Sequence, residues 1–75
     1  MQNTHTLEYK AFLKRLVAAR RAAELTQAEV ADVLAWPQSR ISRMESGERR
    51  VDVIELKSLA RVYERPITYF LTKRD

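Results

Sequence analysis

An all-α domain is the fold this sequence predicts, and three features predict it. The 75 residues include one glycine and two prolines, so the chain has few places to turn sharply. Apolar residues recur three and four positions apart, the spacing of helix faces, with little of the alternation that marks strands. Thr26 and Asp52 each stand ahead of an apolar run with a glutamate three residues on, the mark of a capped helix start. Hydrophobic residues make up 45% of the chain, which supports one small core and a single domain.

Residues 1–6 (MQNTHT) read as a flexible leader, and residues 7–75 as the domain. Tyr9, Phe12, Leu13 and Leu16 form the inner stripe of a first helix from about Leu7 to Ala23. The second helix should start at Thr26, whose hydroxyl caps while Glu29 reaches back. Val30, Ala31 and Leu34 face inward, and this helix should end near Ala35. Pro37 suits the first turn of a third helix, where a missing N–H costs nothing. That helix carries Ile41 and Met44 and stops near Ser46, with Gly47 as its C-terminal residue. Asp52 and Glu55 open a fourth helix with Leu56, Leu59, Ala60 and Tyr63 inside. Pro66 starts a short fifth, PITYFL. The expected architecture is a compact bundle of five short helices.

Composition excludes several kinds of chemistry. Without cysteine there are no disulfides and no thiolate metal sites, and His5, the one histidine, has no companion ligand. No metal or other cofactor is expected. No apolar run approaches the roughly 18 residues of a membrane span, so the expected location is cytoplasmic. No nucleophile stands beside a base, and no glycine loop could cradle a phosphate, so an enzyme is not expected. The net charge of +4 is compatible with nucleic acid, as it is with many ordinary basic proteins.

The segment PQSRISRMESGERR, residues 37–50, carries four arginines and two glutamates. At about 100° per residue, Ile41 and Met44 point one way, and Ser39, Ser42, Arg43 and Ser46 point the other. Gln38 and Arg40 lie on the flanks. This outer ridge has no bulky apolar residue and no acid, so another surface can approach it closely. Arginine and glutamine match the paired acceptors and donors of guanine and adenine edges in the major groove. Serine hydroxyls and helix-end N–H groups suit phosphate oxygens. Arg49 and Arg50 continue the positive strip beyond the glycine. The alternative is a solvent-facing helix with a basic loop.

Arg20 falls within the inward stripe of the first helix and therefore needs a partner or a route to water. Glu45, on the flank of the third helix, could accept two of its N–H groups. The alternative is a side chain that extends its charged end to solvent. Lys10, Lys14 and Arg21 share the opposite stripe and read as a solvated face.

The stretch LTQAEVADVLAWPQSRISRMESGERR, Leu25 to Arg50, resembles the DNA-binding domain of the phage-repressor and Cro type of helix-turn-helix proteins, the XRE-like family. Leu25-Thr26-Gln27, Ala31, Leu34, Ile41-Ser42-Arg43, Glu45 and Gly47 carry the resemblance together. Looser similarity extends from about Leu13 to Leu71. The resemblance implies a helix-turn-helix made by the second and third helices, and double-stranded DNA as partner. It implies that Gln27 holds a backbone phosphate, that Gln38, Ser39 and Arg43 read bases, and that Arg40 and Ser42 serve base or phosphate. It places Ser46, Arg49 and Arg50 at further phosphates, and Arg20 with Glu45 in the pair linking the first helix to the third. A bacterial or phage protein of the nucleoid follows from the same likeness. Three positions depart from the pattern: Glu24 and Ala35 stand where the family often has glycine, and Pro37 where it usually has a polar cap. Pro37 leaves the recognition register open by one position. Trp36 could pack under the turn or lie against a DNA sugar.

The expected function is transcriptional regulation by a twofold dimer, with Tyr69 and Phe70 as candidate dimer contacts. The alternative buries Phe70 in the core and leaves Tyr69 exposed. A single domain of this size is expected to sense no small-molecule ligand. The rival reading keeps the fold and binds a protein partner, as an antitoxin does. It calls for apolar anchors on the outer ridge, where this sequence has serines and arginines. An RNA reader would need an aromatic stacking platform that the sequence lacks.

Overall fold

The computed structural model of the chain describes residues 6–71. Its elements are α1 (Leu7–Ala22), α2 (Gln27–Leu34), α3 (Gln38–Ser46), α4 (Val53–Tyr63) and α5 (Ile67–Leu71). No strand occurs among the described residues. The fold is the expected all-α bundle, with α2 and α3 packed against each other and α1 crossing to both α3 and α5.

Helix starts follow the local chemistry. Thr26 and Glu29 form a reciprocal box: Thr26 Oγ1 accepts the Glu29 N–H at 3.1 Å, and Glu29 Oε1 accepts the Thr26 N–H at 2.8 Å. Asp52 and Glu55 repeat it at 2.7 and 3.0 Å. Thr6 belongs to the segment read as leader, yet its Oγ1 accepts the Tyr9 N–H at 3.0 Å and caps α1. Residues 1–5 of that leader lie outside the described residues.

Three helix ends share one device. Leu25 N–H reaches Arg20 O and Glu24 N–H reaches Arg21 O; the same pair of bonds recurs at Trp36 and Ala35, and at Arg65 and Glu64. These are Schellman closures, which satisfy the last carbonyls by placing one residue in the left-handed region. Here those residues are Glu24 (φ 60°), Ala35 (φ 58°) and Glu64 (φ 58°), none of them glycine. The clash of Cβ with the next carbonyl costs about 1–2 kcal/mol at such a position. Gly47 (φ 87°) ends α3 without that cost.

The prolines sit one residue earlier than expected. Pro37 has φ −63° and ψ 143°, an extended conformation, and is the residue before α3 rather than its first turn. Pro66 likewise precedes α5, which begins at Ile67. The ring fixes φ but leaves ψ free, so a proline can stand just outside a helix as readily as just inside it. Gln38 is therefore the first residue of α3, and no side chain caps that end. α1 also ends one residue sooner than expected, at Ala22, and α2 at Leu34, because each chain reversal requires its left-handed residue.

The core is one cluster: Phe12, Leu16 and Ala19 of α1, Val30 and Ala31 of α2, Ile41 and Met44 of α3, Leu56, Leu59, Ala60 and Tyr63 of α4, and Phe70 of α5. Phe70 is 1% exposed, so the packing alternative holds for it and it offers no surface to a second chain. Tyr69 is half-buried, edge-on to Phe70 at 5.0 Å between ring centroids, with the Arg65 guanidinium 5.0 Å above its ring. Trp36, in the turn between α2 and α3, is half-buried and packs against the core.

Candidate nucleic-acid interface

α3 divides as its pattern requires. Ile41 and Met44 are buried, whereas Ser39, Ser42, Arg43 and Ser46 on the opposite side, and Gln38 on the flank, are all exposed. Two apolar anchors at i and i+3 hold the helix down by one edge and leave a ridge of small hydroxyls, one glutamine and one arginine. The free N-terminus adds unpaired backbone donors beside Gln38 and Ser39, where an anionic group is favoured.

The ridge is fixed from below by an ion pair. Arg20 Nε donates to Glu45 Oε2 at 2.7 Å and Nη2 donates to Oε1 at 3.0 Å, with side chains only 12% and 6% exposed. Nη1 donates to the Leu25 carbonyl at 3.0 Å, so one guanidinium joins α1, the corner before α2, and α3. Donating to Glu45 raises the Arg20 pKa above its ordinary value, against the opposing effect of burial. Gln27 Nε2 also donates to Glu45 Oε1, at 2.9 Å, so the residue expected to hold phosphate rests on this pair. A glutamine amide has a second N–H, which remains for a phosphate oxygen.

Tyr63 lies in the core near this pair, and its hydroxyl is buried without a hydrogen-bond partner. Burial first, and the Glu45 charge second, push its pKa well above the ordinary value of 10.0.

The segment after α3 is organised by Ser46 and Arg43. Ser46 Oγ donates to the Arg43 carbonyl at 3.1 Å and accepts the Glu48 N–H at 3.3 Å, while the Arg49 N–H reaches the same carbonyl at 3.1 Å. Ser46 therefore shapes the turn with the hydroxyl expected to meet phosphate. Arg50 is exposed, with its guanidinium 4.8 Å above the Tyr9 ring. Tyr9 Oη accepts the Val51 N–H at 3.1 Å, so one α1 side chain holds two successive residues of this loop.

Arg49 and Arg40 are less free than the sequence implies. Arg49 donates through Nη1 to Glu55 Oε1 at 3.0 Å and pairs through Nη2 with Oε2 at 2.9 Å. Arg40 Nη1 lies 3.7 Å from Oε2 of the same carboxylate, and its guanidinium stacks 4.8 Å above the Trp36 ring. Burial alone would raise the pKa of Glu55, but the Arg49 hydrogen bond, the Asp52 N–H and the two positive charges outweigh it and hold the pKa below normal. The Glu55 hydrogen bond in turn raises that of Arg49. The sequence pattern marks Glu55 as a capping residue only. What would have flagged it is the excess of arginines just before an acid in the first turn of α4. On the other flank of α3, Lys10, Lys14 and Arg21 line an open groove beside Glu45.

Among the described residues no group of histidines, cysteines or acids could hold a metal, and no helix is long and apolar enough to cross a membrane. No curated protein matches the chain. A helix-turn-helix family model matches residues 16–70, from the middle of α1 to the end of the core at Phe70. That span covers the two-helix unit and the Arg20–Glu45 and Arg49–Glu55 pairs that support it. The chain therefore belongs to the helix-turn-helix family of the phage-repressor and Cro type, whose members are DNA-binding regulators.

Proposed function

We propose that this protein is a sequence-specific transcriptional regulator that reads double-stranded DNA with α3 in the major groove. The exposed row Gln38, Ser39, Ser42, Arg43 and Ser46, set over buried Ile41 and Met44, carries this reading. Gln38, Ser39 and Arg43 read base edges, since amide and guanidinium groups match them bidentately and a serine can bond to several bases. Arg40, held between Trp36 and Glu55, serves at the margin of the ridge. Gln27, Ser42, Ser46 and Arg50 set the register through phosphates, while Arg49, expected to join them, is engaged by Glu55.

The protein acts as a twofold dimer on a palindromic operator, with half-sites about 34 Å apart. With Phe70 in the core, Tyr69 is left as the aromatic contact, and the exposed Leu71 and Val53, which line one groove, support an apolar dimer surface. Its place of action is the cytoplasm, on the nucleoid. It needs no cofactor and catalyses no reaction.

The test is affinity for bulk duplex DNA as a function of salt. Log affinity should fall linearly with log salt, about 0.9 per phosphate neutralised. Affinity unchanged between about 50 and 200 mM salt would favour the protein-partner reading instead.

A further inference from the structure

We infer that Glu55, a residue of α4 outside the proposed contact surface, limits the sequence-independent part of the protein's affinity for DNA. The inference rests on the DNA-binding reading above and names a control on it. A carboxylate and a phosphate offer a guanidinium the same pair of in-plane acceptors. The Glu55 carboxylate already occupies that position on Arg49, at 3.0 and 2.9 Å. It also draws Arg40 to 3.7 Å and accepts the Asp52 N–H at 3.0 Å.

Glu55 is 8% exposed whereas the Arg49 side chain is 41% exposed, so it is the nearly buried carboxylate that would be left short of a partner if Arg49 moved away, which is unfavourable. A phosphate on the surface offers Arg49 only a solvated, salt-screened alternative. Arg49 therefore stays on Glu55 when a duplex docks, and Arg50 is the freer of the two loop arginines. Sequence-independent affinity follows the number of phosphates neutralised. By engaging Arg49 and attracting Arg40, Glu55 lowers that number for every sequence alike, so tight binding depends more on base contacts.

The experiment compares wild type and Glu55→Gln on a duplex of random sequence over a range of salt, with circular dichroism as the check on folding. Glutamine can still serve the third position of the capping box, so the substitution removes the charge and keeps the helix start. The expected result is a steeper salt slope, about 0.9 for each phosphate gained, and a gain of severalfold in affinity at low salt. In an Arg49→Gln background the gain should shrink to the smaller part that Arg40 supplies. A folded Glu55→Gln protein that binds more weakly, or with the wild-type slope, overturns the inference. Should Glu55→Gln fail to fold, Arg49→Lys keeps the charge and gives up the bidentate pair; its slope must steepen too, and an unchanged slope is equally fatal. Salt-independent binding by wild type sinks the DNA reading and this inference together, whereas salt-dependent wild type with unaltered variants sinks this inference alone.

Discussion

Glu45 accepts hydrogen bonds from Arg20 on α1 and Gln27 on α2 while standing on α3, so a single carboxylate fixes the recognition helix against its two neighbours. Changing it to alanine leaves the Arg20 guanidinium nearly buried and unpaired, a loss of about 3–5 kcal/mol. Thermal melting should show that loss, and a melting temperature equal to wild type would mean that the pair contributes nothing. Glu55 makes a different prediction, in pH. Its folded pKa is depressed, so its contribution to stability is complete above the ordinary glutamate value of 4.5 and is lost as pH falls through the lower folded value. Wild type should lose stability in acid faster than Glu55→Gln, with the two curves parallel near neutrality. Parallel curves throughout would refute the ion pair. The Arg20–Glu45 pair was legible in the sequence, because a cation within an apolar stripe needs a partner. The Glu55 cluster was not, since Arg40 and Arg49 reach it from different elements and no one-helix pattern brings them together.

At the scale of elements, helix starts were easier to read than helix ends. A start is decided by one side chain and one backbone N–H three residues away, as at Thr26 and Asp52. An end depends on which residue takes positive φ, and Glu24, Ala35 and Glu64 do so without the glycine that would announce it. The prolines misled by one residue for a related reason: the ring constrains φ, and the helix boundary at Pro37 is set by ψ. Glycine at Glu24, Ala35 or Glu64 should relieve the left-handed clash of about 1–2 kcal/mol and give back part of it through chain entropy. Each substitution should therefore raise stability by up to about 1 kcal/mol, measured by urea titration with an unchanged m value. Destabilisation at all three would show that these corners carry no strain.

For the molecule as a whole, the chain builds one apolar core and leaves the outer face of α3 polar. The assignment of α3's two faces came directly from Ile41 and Met44, because three-residue spacing on so short a helix allows only one inward direction. Phe70 was ambiguous in sequence, since a five-residue helix shows no full period; packing resolved it by placing the ring among the other core side chains at 1% exposure. The net charge of +4 is distributed so that Arg50 remains open in the loop after the ridge while Arg49 is held by Glu55. Arg50→Ala should accordingly weaken binding to all duplexes and flatten the salt slope by about 0.9, one phosphate's worth. A change confined to one base position would move Arg50 to the reading set.

Selection of bound sites from a random duplex library, run in parallel on wild type and Arg43→Ala, addresses the orientation of α3 on DNA most directly. Wild type should enrich a palindrome with half-sites about one helical turn apart. The variant should lose about 1–3 kcal/mol on that sequence and relax its preference at one position in each half-site. No enriched sequence for wild type, or a variant that weakens every duplex equally, would contradict α3 as the reading helix in this register.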